Sequence, residues 1–254
     1  MMIGCSTSFE ADRIKHLYDR GFRVFQVSLP SPQDGDYQAI EKNLLEVVSH
    51  CPDVRIVAHA PLWHNIVSGN GLADRTGEDM ISQINLLERL GATDYICRLG
   101  WSDTPNMCIV ENATKLLTLV IKNTSGVHIL LENTPGDVRD LAGSFIQNKT
   151  VMGEVRSRRL ALCLDIRHAC SRKEHILVSL ANDPPTSLLR NYVRLVHLGT
   201  REGEGLEKSR ELSVATLEKT FLLCQKLDIP VILEGQDEAV LEEDMRTLKR
   251  WKCG

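Results

Sequence analysis

The chain has 254 residues, 43% of them hydrophobic, and a formal net charge of −4 at pH 7. A chain of about 250 residues buries roughly three quarters of its unfolded surface, so one domain with a full core is expected over residues 1–254. The mild acidity argues against a broadly basic nucleic-acid scaffold and leaves only a local basic face open. Arg156, Arg158 and Arg159, with Arg172 and Lys173, are the candidates for it, and a solvated loop or helix face is the plainer reading of such a run. No apolar run reaches the ~18 residues of a spanning helix, so no membrane partner is expected. Met1–Cys5 enters an apolar strand pattern with no basic leader or cleavage site. The eight cysteines include no C-x-x-C pair, and Cys5, Cys97 and Cys163 sit in apolar runs where a thiol behaves as a small hydrophobe. Reduced cysteines in a cytoplasmic or nuclear compartment are therefore expected. The sequons at Asn112, Asn123 and Asn148 then carry no glycan.

Taken in chain order, short apolar runs alternate with amphipathic stretches. Strand Ile3–Cys5 is followed by helix Ala11–Arg20, strand Arg23–Val27 by helix Tyr37–His50, and strand Arg55–His59 by helix Glu78–Leu90, which stops at Gly91. Strand Tyr95–Arg98 precedes helix Glu111–Lys122. Strands His128–Glu132, Ala161–Asp165 and Val193–His197 come next, then helix Leu206–Leu227, strand Val231–Glu234 and helix Glu238–Lys249. The strands are short and rich in Val, Ile and Leu, as parallel strands buried on both faces are. The helices carry apolar residues at three-and-four spacing. Eight such strands in about 250 residues fit a single closed (β/α)8 barrel better than an open sheet. The open alternative wants a Gly-rich phosphate loop after its first strand, and Gly4-Cys5-Ser6-Thr7-Ser8 offers none.

The residues that end the strands carry the chemistry. In parallel barrels the C-terminal strand ends form the active face. Here they are His59, Glu132, Asp165, His197 and Glu234, each directly after an apolar run. A carboxylate at the end of a buried strand is costly unless paired or bound to a metal, and three converging on one rim repel one another. A divalent cation removes that repulsion, and carboxylate plus imidazole suits zinc, manganese or magnesium. Each residue also has a plainer reading. Asp165 could cap a helix near Arg167, Glu132 could accept amides from Asn133-Thr134-Pro135-Gly136, and His197 could be a hydrogen-bonded core histidine. His168, three residues after Asp165, is open to three roles: metal ligand, substrate contact or support for a ligand. Trp63 and His64 follow His59 on one loop and are candidate pocket residues, with a packed loop as the equally plain reading. His16, His50, His128 and His175 are given no role.

The same residues resemble the endonuclease IV family of apurinic/apyrimidinic endonucleases, within the xylose-isomerase-like TIM barrels. His59-Ala60-Pro61 with Asn65 resembles the family's H-x-P-Y-x-x-N segment. Leu131-Glu132-Asn133-Thr134-Pro135-Gly136 resembles L-E-N-T-A-G, and Cys163-Leu164-Asp165-Ile166-Arg167-His168 matches C-x-D-x-x-H. Val196-His197-Leu198, Gly203-Glu204-Gly205 and Ile232-Leu233-Glu234 match later segments. The resemblance implies a zinc-dependent DNA-repair hydrolase acting on duplex DNA with abasic sites. It implies Glu132, Asp165, His197, Glu234, His59 and His168 as metal ligands, and Trp63, His64, Asn65 and Arg201 as substrate contacts.

The chain departs from the family pattern in three places. Arg98, in Cys97-Arg98-Leu99-Gly100-Trp101, stands where the family has a histidine. The family's D-x-H pair has no counterpart before Gly203, and the tyrosine after the first histidine is replaced by Leu62 or shifted to Trp63. Of three ancestral metal sites, the one built from Glu132, Asp165, His197 and Glu234 is complete. Three functions follow as expectations. One is a phosphodiesterase with one metal, in which Glu132, Glu234 and Arg98 are catalytic. A second is a single-metal sugar isomerase or epimerase with Glu132 and Glu234 as the acid–base pair. The third is a catalytically inactive relative.

Overall fold

The computed structural model describes residues 1–68, 71–101, 108–135, 143–172, 191–199, 206, 212–235 and 237–253. Its elements run β1 (Ile3–Thr7), α1 (Ala11–Asp19), β2 (Val24–Ser28), α2 (Tyr37–His50), β3 (Arg55–His59), α3 (Gly71–Arg89), β4 (Asp94–Cys97) and α4 (Ile109–Lys122). They continue with β5 (His128–Glu132), α5 (Phe145–Val155), β6 (Leu160–Asp165), α6 (Ile166–Ser171), β7 (Val193–Leu198), α7 (Val214–Leu227), β8 (Val231–Leu233) and α8 (Glu238–Cys253). The strands pair in chain order, all parallel, and β8 closes on β1 to complete the barrel. None of the described helices is long and apolar enough to cross a membrane.

Two helices lie outside the patterns expected from sequence. α5 has no apolar stripe at helical spacing: Phe145 and Val151 are buried while Ile146 is exposed. Its start is fixed instead by a capping box, in which Ser144 accepts from the Gln147 amide and the Gln147 side chain accepts from Ser144 N. α6 is too short to show a period. α3 begins at Gly71, seven residues before the expected Glu78. α7 begins at Val214 with Ser213 as N-cap, rather than at Leu206.

The barrel contains two apolar cores. The larger lies between strands and helices and includes Phe25, Leu44, Ile84, Tyr95, Leu117, Leu131 and Phe221. The smaller fills the barrel interior with Val24, Val57, Ile96, Leu130, Cys163, Leu195 and Ile232. Each such buried aliphatic contributes about 1.5–3 kcal/mol over exposure. Side chains on a strand return to the same face every second residue. Two positions beyond the interior plug therefore stand Gln26, His59, Arg98, Glu132, Asp165, His197 and Glu234, and Ser6 by the same step from Gly4. Two positions before it stand Arg55, Asp94 and His128. The apolar plug thus separates a polar layer at the C-terminal end of the barrel from another at the N-terminal end.

Candidate metal centre

Glu132, Asp165 and His197 are the last inward residues of β5, β6 and β7, and Glu234 directly follows β8. One ligand-type atom from each of the four lies within 4.8 Å of the others. His197 Nδ1 is 3.0 Å from Glu132 Oε1, 3.2 Å from Glu234 Oε1 and 4.0 Å from Asp165 Oδ2. Glu132, Asp165 and His197 are inaccessible to solvent, and Glu234 is partly open. Gly199 makes room for Glu234: a Cβ there would lie 2.5 Å from Glu234 Oε2.

The residues around the four hold them in place. Gln26 Oε1 accepts from His197 Nε2 at 2.7 Å, and Gln26 Nε2 donates to Ser6 Oγ at 3.1 Å. With Nε2 donating to Gln26, a bound cation would take the Nδ1 lone pair of His197, the usual support for a histidine ligand; without one, Nδ1 is protonated and donates to Glu132. Asn133 brackets Asp165, accepting from its amide and donating to its carbonyl, both at 2.8 Å. Asp165 Oδ1 accepts from His168 N at 2.7 Å and so caps α6. The capping reading and the cluster reading are both true of Asp165, through different oxygens.

The cluster fits a cation by two observations. Asp165 Oδ2 is buried with no hydrogen-bond partner. His168 Nδ1 lies 3.2 Å from it, but that nitrogen is also 2.8 Å from Asn133 O and donates there. Burial, with the charges of Glu234 and Glu132 nearby, also pushes the Asp165 carboxyl well above the usual carboxylate range. Without a cation the cluster takes up protons, and with one it can ionise fully.

Glu132 differs from its neighbours. Burial alone would raise it, but the Arg98 guanidinium and hydrogen bonds from His197 and His59 hold it well below the usual range. Arg98 Nε donates to Glu132 Oε2 at 2.5 Å, and His59 Nε2 lies 3.2 Å from the same oxygen. Its partners are thus side chains, and not the amides of the following loop that the plainer reading of the sequence allowed. His59 Nδ1 meets Ala60 O at 2.7 Å. Arg98 places a fixed positive charge between His59 and Glu132.

The remaining candidates fall elsewhere. His64 is buried against Tyr95 and Asp79, with Nδ1 3.5 Å from the Tyr95 hydroxyl and Nε2 3.7 Å from Asp79. Burial lowers it to about 4, with the positive charge of Arg75 adding to the effect. Asn65 Nδ2 donates to Trp101 O at 2.9 Å, beneath Gly100, where φ is +93° and an added Cβ would lie 2.4 Å from Asn65 Oδ1. Trp63 packs edge-on against His64 and under the Arg75 guanidinium. Arg201, Gly136 and Gly203–Gly205 lie outside the described residues, as do Lys173 and His175. The basic run is dispersed. Arg159 is spent on the carbonyls of Ile121, Thr124 and Val127, and Arg172 donates to Thr134 O. Sequence reasoning missed Gln26 and Ser6. Counting two residues along each strand from the apolar plug finds both.

The family model described as xylose isomerase-like TIM barrel matches residues 14–251. The chain belongs to that family. Within it, the chain is similar to a probable endonuclease 4 from Aquifex aeolicus, 27% identical over 165 residues, which cover 61% of this chain and 57% of that protein. A probable endonuclease 4 from Mycoplasma mobile is 23% identical over 92% of this chain and 91% of its own length. The fold superposes on endonuclease IV from Thermus thermophilus with a TM-score of 0.76 at 18% identity, covering 99% of both chains. It also superposes on D-psicose 3-epimerase from Clostridium cellulolyticum with a TM-score of 0.75 at 13% identity, covering 99% of this chain and 98% of that one. These structural likenesses establish the xylose isomerase-like barrel fold and do not choose between the two chemistries.

Proposed function

We propose that the chain is a metal-dependent phosphodiesterase of the endonuclease IV type that acts at abasic sites in duplex DNA. Glu132, Asp165, His197 and Glu234 would hold one divalent cation, zinc by ligand type, with manganese or magnesium as the alternatives. Such a cation supplies a water acidified to near neutral pKa and a Lewis acid for the phosphate. The chain's own part is charge and position. Arg98, fixed on Glu132 through Nε, would present its outer edge to the phosphate where a second metal ligand has been lost. His59 and Arg98 together keep Glu132 ionised. Glu234 and Arg98 are the least buried members, so substrate would approach over them. Trp63, and Arg201, which follows β7 in sequence, would flank the extruded nucleotide. His168 would hold Asp165, and His64 and Asn65 would hold the loop that carries Trp63.

The observation that carries this reading is the Arg98–Glu132–His59 contact. A sugar isomerase or epimerase would need Glu132 to give and take a proton, with Glu234 as its partner. A carboxylate held ionised by a guanidinium is a poor proton carrier. The surviving Glu/Asp/His/Glu set still suits single-metal isomerases, and this keeps that alternative in the test. Elemental analysis paired with a nicking assay on abasic duplex DNA separates the readings. The phosphodiesterase predicts one metal per chain and nicking that Glu132→Gln abolishes. Equal nicking by both proteins contradicts it. Metal-dependent solvent proton exchange into a ketose without nicking supports the epimerase. A preparation with no stoichiometric metal supports an inactive relative.

A further inference from the structure

At the opposite end of the barrel, the first residues of β3, β5, β6 and β7 border a pocket of about 360 Å³. That volume lies in the range of small-ligand pockets, about 300–1,000 Å³. Its walls include Arg55, Arg158, Arg194 and His128. Arg55 and Arg194 converge on one carboxylate, Asp94, which is fully buried: Arg55 Nη2 and Arg194 Nε each lie 2.5 Å from its oxygens. Asp228, the carboxylate in the lining, is matched by the terminal ammonium of Met1 at 2.7 Å. Among the described residues, three guanidiniums and that ammonium therefore face two carboxylates, an excess of two positive charges.

We infer that this N-terminal pocket binds a small ligand through a dianionic oxyanion, such as a phosphoryl group. Guanidiniums suit that group, since each offers a planar fork of donors that matches phosphate oxygens and stays charged at every physiological pH. Arg55 and Arg194 are pre-oriented by Asp94, so little side-chain freedom is lost on binding. Arg158 is exposed and lines the pocket. A nucleic-acid backbone needs an open stripe of charge, whereas this charge is gathered in a recess. The site is one strand length from the metal centre, roughly 13 Å at ~3.3 Å per residue, behind the apolar plug. It does not depend on the nuclease reading.

The test uses the full chain and inorganic phosphate, titrated against chloride at constant ionic strength. Millimolar phosphate is expected to raise Tm by a few degrees and to move the His128 ring resonances with the same midpoint. Arg158→Glu is expected to weaken the midpoint at least tenfold. Arg194→Gln keeps a donor for Asp94 and is expected to weaken it in the same direction. Neither variant changes metal content. Absence of a phosphate response in the parent overturns the inference. An undiminished response in Arg158→Glu also overturns it, because phosphate then binds elsewhere, such as at the metal centre. Should Arg194→Gln fold poorly, Arg158→Glu decides alone, since its site is on the surface.

Discussion

The two ends of the barrel solve opposite electrostatic problems with the same geometry. At the C-terminal end three carboxylates converge on one imidazole, and the cluster has a buried oxygen with no hydrogen-bond partner. At the N-terminal end two guanidiniums converge on one carboxylate whose oxygens are all engaged: Arg55 and Arg194 donate to it, and so does the Thr93 hydroxyl. Both polar layers sit two residues from the same apolar plug, so neither can relax into solvent on its inner side. The lower layer satisfies Asp94 from within the chain. The upper layer is left short of positive charge, which either bound protons or an external cation would supply.

The largest expected effect breaks the lower layer. Asp94→Ala leaves Arg55 and Arg194 without their shared partner and should cost about 3 kcal/mol, the lower end of the range for a broken buried ion pair because Arg194 remains partly solvated. Chemical denaturation would measure it, and metal content per folded chain should not change. Although burial would raise Asp94, the two guanidiniums and Thr93 hold its carboxyl below its ordinary value of 3.8. Its contribution is therefore complete above pH 3.8 and is lost only as pH falls further, through the folded value.

A comparable loss comes from His64 but in a different window. The unfolded imidazole takes a proton near pH 6.5 and the buried one only near 4. The unfolded state is protonated first, so stability is full above pH 6.5 and falls as pH drops towards 4. The loss is up to about 3 kcal/mol at 1.36 kcal/mol per pH unit. Replacing His64 by Gln should flatten that slope in a stability–pH series.

Smaller effects sharpen the upper layer. Gln26→Leu removes the acceptor that orients His197 and should weaken metal affinity about 10–100-fold, read by competition with a chelator, while the barrel remains folded. Arg98→Lys keeps the charge but loses the planar fork. It should retain the metal and lower nicking by at least about tenfold. Arg158→Ala, on the exposed rim of the lower pocket, should change stability by no more than about 0.5 kcal/mol.

The barrel was legible because its strands are apolar runs that end abruptly in chemistry. Arg55–His59 and His128–Glu132 have the bounds read from sequence, and Tyr37–His50 does so among the helices. α5 was not legible by periodicity, since its helical start is set by the Ser144–Gln147 cap and not by an apolar stripe. The four cluster residues were visible as strand ends, each at an equivalent register. Their support was not, because Gln26 lies mid-strand among apolar neighbours and reads as an interruption until the inward face is known. His64 is a pocket candidate because it follows His59, with a packed loop as the equally plain reading, and Asn65 is one because it fits the H-x-P-Y-x-x-N segment. His64 packs against Tyr95 and Asp79, and Asn65 donates to Trp101 O and Thr76 Oγ1. Arg98 was legible as a departure from a pattern, but its contact with Glu132 emerged only once β4 and β5 were paired.

The complete metal site of the upper layer is tested most directly by elemental analysis of the purified chain. One divalent cation per chain is expected in the parent, and none in an Asp165→Asn, Glu234→Gln double variant of unchanged secondary structure. A parent without stoichiometric metal, or a double variant that retains it in full, would contradict the site.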